Sequence, residues 1–219
     1  MTLHLTIVNK AYSSWSLRPW LLMRQFGIAF EETVIPMRQS DTSAGLLAVS
    51  PTGKVPVLRH GDVHVWESLA IIEYLADCFP HLPIWPRESV VRAFARSISC
   101  EMHAGFMALR QECPTNFRRQ PRAPRSALSE DARANIARIE AIFAESRSRF
   151  GAEGPFLMGQ FGAADAMFAP VINRFYAYDI KVSAATKAYM DSVRALPAWQ
   201  QWHADGAAEP WVIEAYEVM

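Results

Sequence analysis

Gly53-Lys54-Val55-Pro56-Val57-Leu58-Arg59-His60-Gly61-Asp62-Val63-His64-Val65-Trp66-Glu67-Ser68 is the stretch whose reading decides the fold. Val55 to Leu58 and Val63 to Trp66 are short apolar runs rich in β-branched residues, which suits strands. Between them Gly61 takes the first central position of a two-residue turn, the signal of a type II′ hairpin, so the two strands are antiparallel. Glu67-Ser68 then opens a helix in which Leu69, Ile72 and Leu75 share one face.

Toward the N-terminus, Leu3, Leu5 and Ile7 alternate with His4 and Thr6, a strand pattern. Tyr12-Ser13-Ser14-Trp15-Ser16 supplies a turn and helix-start residues, and Gly27 a stop, which predicts a helix from about Ser14 to Gln25. Thr33, Val34 and Ile35 place a second strand before Pro36. A β-α-β crossover implies that these two strands are parallel. Residues 38–50 read as a loop with a weak helix at Leu46-Leu47. The first part of the chain is therefore βαβ followed by ββα.

Downstream the periodicity changes. Pro80, Pro83 and Pro86 leave residues 81–87 no helical capacity. This gives an α/β domain over 1–80, a linker over 81–87 and an all-helical domain over 88–219. Phe94, Ile98, Met102 and Phe106 recur at i+4, which predicts one long helix. Ser129 caps a helix carrying Ile136, Ile139 and Phe143. A helix from about Ala163 to Tyr178 contains Pro170, and two shorter ones cover 184–194 and 196–206. The arginine-rich run from Arg118 to Arg125 reads as a solvated loop.

The composition bounds the function. The chain has 219 residues, 51% of them hydrophobic, and its 22 basic side chains equal its 22 acidic ones. Zero formal charge argues against a nucleic-acid partner. The three cysteines, Cys78, Cys100 and Cys113, form no C-x-x-C pair and no disulfide framework, which suits a reducing compartment. The N-terminus lacks a signal-peptide pattern, and no apolar run approaches the ~20 residues that span a bilayer. A cytoplasmic protein without membrane association is expected. His60 and His64 sit on opposite arms of the hairpin with no third ligand nearby, so no metal is expected. A G-x-S-x-G nucleophile elbow is absent.

Three features bear on chemistry. Ser13, Ser14 and Ser16 crowd one strand-to-helix turn. Each alone is an ordinary cap, but a helix N-terminus favours anions, and a hydroxyl placed there can donate to a thiolate. Val55-Pro56 is either an ordinary trans bond or a cis one that turns the Val55 backbone outward as an edge for a peptide ligand. Glu67-Ser68 is either a cap with a first-turn acid or a two-sided receptor. In the second case Ser68 and the helix tip take a carboxylate, and Glu67 takes an ammonium.

The order Ser13-Ser14-Trp15-Ser16-Leu17-Arg18, then Gly53 to Leu58, then Glu67-Ser68-Leu69-Ala70-Ile71-Ile72-Glu73-Tyr74-Leu75 resembles the cytosolic glutathione transferase superfamily. The serine turn is most similar to that of its zeta class, Ser-Ser-Cys-Ser-x-Arg. Phe161-Gly162-Ala163-Ala164-Asp165 resembles the family's helix-capping box, one-sided here because Gly162 offers no hydroxyl. The resemblance implies a thioredoxin-like first domain and a helical second one. It implies a thiolate-stabilising hydroxyl at Ser13, with Ser14 next and Tyr12 third. It further implies a glutathione co-substrate held by Lys54 at the glycyl carboxylate, by Val55 and a cis Pro56 at the cysteinyl unit, and by Glu67 and Ser68 at the γ-glutamyl head.

Trp15 departs from the zeta pattern. It removes a cysteine nucleophile from the turn and speaks against the maleylacetoacetate isomerase activity of that class. The electrophile is expected over the helix after the linker, near Met102, His103, Phe106, Met107 and Arg110, with Phe117 and Tyr176 further off. Met and Phe at helical spacing are equally core residues, and Arg110 is either solvated or a receiver for an acidic substrate. Three functions follow: a conjugating transferase, a glutathione-dependent maleyl cis–trans isomerase, and a non-catalytic binding module. A homodimer is implied by the family.

Overall fold

The computed structural model describes residues 2–217. Strand β1 (Leu3–Ile7) leads into helix α1 (Ser14–Gln25) and returns as β2 (Phe30–Val34). Helix α2 (Thr42–Val49) precedes the hairpin β3 (Val57–His60) and β4 (Val63–Trp66), and α3 (Ser68–Cys78) follows. The sheet order is β2-β1-β3-β4, with β1 and β2 parallel and the remaining pairs antiparallel. Gly61 turns the hairpin at φ +60°, where glycine meets no steric cost. The chain thus has the α/β first domain and all-helical second domain that the pattern implies, the first being thioredoxin-like as the resemblance implies.

The helical part comprises α4 (Ser89–Ala104), α5 (Met107–Glu112), α6 (Glu130–Phe150), α7 (Ala163–Ala177), α8 (Ala184–Arg194), α9 (Pro197–Ala208) and the short α10 (Glu214–Glu217). Nearly every residue of α7 is buried, as for a helix apolar on all sides, and it packs against both α1 and α4. One continuous core joins Leu5, Ile7, Leu17 and Leu75 of the first domain to Met167, Phe168 and Ile172 of α7.

At the start of α7 Gly162 lies close against the linker. A Cβ there would lie 3.0 Å from the Ile84 carbonyl oxygen, which accepts the Ala163 N–H at 2.8 Å. Asp165 is fully buried and takes over the capping work. Its oxygens accept the Gly162 N–H, the Leu157 N–H and the Tyr189 hydroxyl, each at 3.0 Å.

Two expectations are corrected. The helix carrying Phe94, Ile98 and Met102 does not reach Phe106. It ends at Ala104, because Gly105 leaves the helix against Glu101 O and Phe106 turns left-handed at φ +63°. The Arg118–Arg125 run is not a solvated loop throughout. Arg119 is buried and donates to Ala177 O at 3.0 Å, and Arg118 donates to Glu209 O at 2.6 Å. These contacts tie the loop to the ends of α7 and α9.

Candidate functional site

The site forms where the first turn of α1 meets the loop before β3 and the start of α3. After β1 the chain turns on Asn9, whose carbonyl accepts the N–H groups of Tyr12 and Ser13 at 3.2 and 3.0 Å. Ser13 is the N-cap of α1. Its hydroxyl accepts the Ser16 N–H at 3.2 Å and donates to Ser16 Oγ at 2.8 Å. Ser14, the first helical residue, has no hydrogen-bond partner for its hydroxyl among the described residues. Both serines are nearly buried, at 7% and 8% exposure, yet both line a cleft of about 370 Å³.

Opposite this turn Val55-Pro56 is cis, and Lys54 and Val55 line both the serine cleft and an adjoining hollow of about 210 Å³. Glu67 borders that hollow with backbone in the left-handed region, at φ +71°. Such backbone in a residue bearing a side chain clusters at functional sites. Ser68 opens α3 and is fully buried, with its Oγ accepting Arg18 Nη1 at 3.4 Å. The two hollows adjoin, sharing Trp15, Lys54 and Val55 in their walls. A hydroxyl-bearing helix tip lies at one end, and an acid beside a second helix tip lies at the other.

Trp15 stands between the two hollows and lines both. Arg18 stacks on its ring at 4.2 Å and Arg110 at 5.0 Å, while His103 meets its edge with ring centroids 5.2 Å apart. His103 Nε2 also approaches Glu67 at 3.7 Å. Burial, then Arg18, lowers the His103 pKa.

The cleft is rich in unpaired positive charge. Arg110 and Arg174 line it. Arg110 donates from Nε to Gly105 O at 2.9 Å and from Nη2 to Met102 O, and Arg174 donates to Thr115 Oγ1 at 2.7 Å. Neither arginine, nor Arg18, ion-pairs with a carboxylate among the described residues. Burial lowers the pKa of all three, that of Arg174 to about 9 with Arg110 adding to the effect. Arg174 was invisible to periodicity. The one sequence signal was a cation beside Asn173 inside the mostly apolar run Met167 to Ala177.

The five residues expected around the electrophile fall in different places. Of Met102, His103, Phe106, Met107 and Arg110, only Arg110 lines the cleft. Met102, 1% exposed, and Phe106 belong to the core, while Met107 faces outward at 56% exposure. Phe117 packs on Trp199 and Trp202, and Tyr176 carries Arg194 3.5 Å above its ring. Pro114, Thr115, Arg174, Tyr216, Met37 and Leu46 also line the cleft. Tyr12 turns to the C-terminal helix. Its hydroxyl donates to Glu217 Oε1 at 2.7 Å and accepts the Ile213 N–H at 3.3 Å, and burial followed by Glu217 pushes its pKa up to about 12.

No group of His, Cys, Asp and Glu side chains suited to a metal ion exists among the described residues, and no described helix is long and apolar enough to cross a membrane. Comparison with known proteins gives a consistent result. The glutathione S-transferase N-terminal domain model matches residues 12–78, and the C-terminal domain model matches residues 125–205. A probable maleylacetoacetate isomerase of Caenorhabditis elegans is 31% identical over 96 residues, 44% of this chain and 44% of that protein, so the match spans under half of that relative's length. A stringent starvation protein A homolog of Pasteurella multocida is 25% identical over 178 residues, covering 79% of this chain and 77% of that one. A solved glutathione transferase homolog from Burkholderia GL BGR1, with bound glutathione, superposes with a TM-score of 0.73, covering 95% of this chain and 100% of that one at 22% identity. That last likeness is one of fold. With both halves of the chain matched by models of a single family, over the serine turn, the cis-proline loop and the capped α7, the protein belongs to the glutathione S-transferases.

Proposed function

We propose that the protein is a glutathione transferase that joins the glutathione sulfur to a small electrophile bearing a negative charge. The observation that carries this reading is the free Ser14 hydroxyl at the tip of α1, facing a cleft walled by Arg110 and Arg174. A free thiol has a pKa of ~8.5, and lowering it by ~2 units requires about 2.7 kcal/mol of preferential thiolate stabilisation. A hydrogen bond to a charged group supplies ~1.5–3 kcal/mol. The helix N-terminus adds ~0.3–2 kcal/mol.

Ser14 is the better donor of the two serines, because the Ser13 proton is committed to Ser16. Ser13 then serves as the cap that shapes the turn. Val55 pairs its backbone with the cysteinyl unit, Lys54 meets the glycyl carboxylate, and Glu67 and Ser68 take the ammonium and carboxylate of the γ-glutamyl head. The thiol proton leaves to solvent. The thiolate lone pair forms the new S–C bond, and the electron pair it displaces departs with the leaving group. An anionic electrophile gains from Arg110 and Arg174, which have no carboxylate partner among the described residues.

A second reading, glutathione-dependent isomerisation of a maleyl diacid, uses the same thiolate without net conjugation. The two cleft arginines and the isomerase relative favour it, and Trp15 in place of the zeta-class cysteine speaks against it. A purely non-catalytic module would not need a free hydroxyl at the helix tip. We further propose a cytoplasmic homodimer, for which Val63 and Trp66 on edge strand β4 offer exposed apolar surface.

Ser14→Ala tests the reading. Loss of one charged hydrogen bond should slow conjugation of an aryl halide about 10- to 150-fold. Retention on immobilised glutathione should persist. An unchanged rate with unchanged thiolate absorbance would remove Ser14 from the mechanism. Relative turnover of an aryl halide and a maleyl diacid separates the two reactions.

A further inference from the structure

The outer face of the sheet holds a further hollow, of about 290 Å³, that shares no lining residue with the two described above. Alternation along β1 sends Leu3, Leu5 and Ile7 into the core and turns His4 and Thr6 to the opposite face. The strand register then sets His4 opposite Arg59, and Arg59 opposite His64. All four polar residues line the hollow. Val57, paired with Thr6, gives it an apolar side together with Ala48 and Val49 at the end of α2.

Two of these groups lack partners. Thr6 is 5% exposed, and its hydroxyl makes no hydrogen bond among the described residues. A buried hydroxyl left unpaired costs free energy unless something arrives to meet it. Arg59 is exposed, and its guanidinium has neither ion pair nor hydrogen bond among the described residues. An arginine in a sheet is stabilised by an acid directly across from it, but Arg59 has an imidazole on each side. The carboxylate of the same row, Glu31 on β2, is turned to His4 at 3.3 Å, and His4 Nε2 bonds Thr33 Oγ1 at 2.8 Å. Thr6 and Arg59 are diagonal neighbours across β1 and β3, a spacing of ~7–8 Å that a long side chain spans.

We propose that this hollow binds a small organic phosphate monoester. Arg59 grips two phosphate oxygens with its planar fork, the Thr6 hydroxyl donates to a third, and His64 closes on the group from β4. The organic body rests on Val57, Ala48 and Val49. A carboxylate has only two oxygens, in one plane, and would satisfy the fork while leaving Thr6 unmet. The site is independent of the glutathione reading, since the two have no residue in common.

The whole protein is titrated with phenyl phosphate, inorganic phosphate and benzoate. Binding is read by NMR from the C2 proton of the His64 imidazole, assigned through His64→Asn, so that an anion taken up between Arg110 and Arg174 is not counted. Phenyl phosphate should shift that resonance saturably. Inorganic phosphate, without the apolar body, and benzoate, without the third oxygen, should each bind at least about fivefold more weakly. Arg59→Gln should weaken phenyl phosphate at least about tenfold, and Thr6→Val about tenfold, the loss of one hydrogen bond to a charged group. Circular dichroism checks that both variants fold. A His64 resonance that phenyl phosphate leaves unmoved, or wild-type affinity in folded Arg59→Gln, would overturn the proposal. If Arg59→Gln does not fold, wild-type affinity in Thr6→Val overturns it instead. Benzoate binding as tightly as phenyl phosphate would overturn the choice of phosphate.

Discussion

Replacing Asp165 with alanine should be among the most damaging single changes in this protein. The buried carboxylate satisfies three donors: the Leu157 and Gly162 amides and the Tyr189 hydroxyl. Each donor left unpaired in the interior costs ~1–3 kcal/mol. Burial works the other way, because it pushes the Asp165 pKa up to about 6, so removing the charge at pH 7 offsets part of the loss. That offset is on the order of 3 kcal/mol. The net cost at pH 7 is then about 0–6 kcal/mol, against a total stability of ~5–15 kcal/mol. A 4 kcal/mol loss in a chain of this size lowers the Tm by roughly 8–16 °C.

The pH dependence gives a second handle on the same residue. Because the folded value exceeds the ~3.9 of an unfolded Asp, the folded protein binds more protons between about pH 4 and 6. Asp165 therefore contributes most below that window, and its contribution falls as pH rises through it. The gap between wild type and Asp165→Ala should widen as pH is lowered from 7 to 4. Urea unfolding followed by circular dichroism at several pH values measures it. A gap that stays constant or narrows on acidification would refute the reasoning.

Other consequences follow from single contacts. Tyr12→Phe should cost about 1 kcal/mol by releasing Glu217, with no change in the bound thiol pKa; a shifted thiol titration would put Tyr12 at the sulfur. Ser13→Ala should lose ~0.5–2 kcal/mol of stability in chemical denaturation as the α1 cap is lost, with a smaller rate effect than Ser14→Ala. Lys10 is buried between the partly exposed Glu32 at 2.6 Å and Asp205 at 2.8 Å, so Lys10→Met should destabilise by ~1–3 kcal/mol; a thermal scan showing no loss would contradict this. Gly105→Ala would place a Cβ 2.8 Å from Glu101 O and should cost ~1–3 kcal/mol by forcing the α4 end apart, as equilibrium unfolding would report.

The fold was legible where local signals were strong. Alternation in Leu3 to Ile7, the Gly61 turn and the proline-rich linker all act over a few residues, and the structure follows them. The residues proposed to hold glutathione were singled out by similar local signals: Ser13, Ser14, Glu67 and Ser68 sit at helix starts, and Val55 lies in the loop before β3. The rest of the cleft was not legible. Its wall joins Trp15 to Pro114, Arg174 and Tyr216, residues that come together only through tertiary packing. Helical spacing put Met102 and Phe106 on one face, but could not tell whether that face met the cleft or the core. The break at Gly105 depends on one carbonyl oxygen of the preceding turn, which no pattern of apolar residues reveals.

The amide of Ala163 is bonded to the carbonyl of Ile84, so the first turn of α7 is finished by a residue that lies outside the helical bundle. A fragment starting at residue 88 would begin life with that amide bare and with the α7 side normally facing α1 open to water. Dissecting the protein at its linker should therefore yield pieces that aggregate, and proteolytic nicking near Ile84 should unravel both halves together instead of liberating either one.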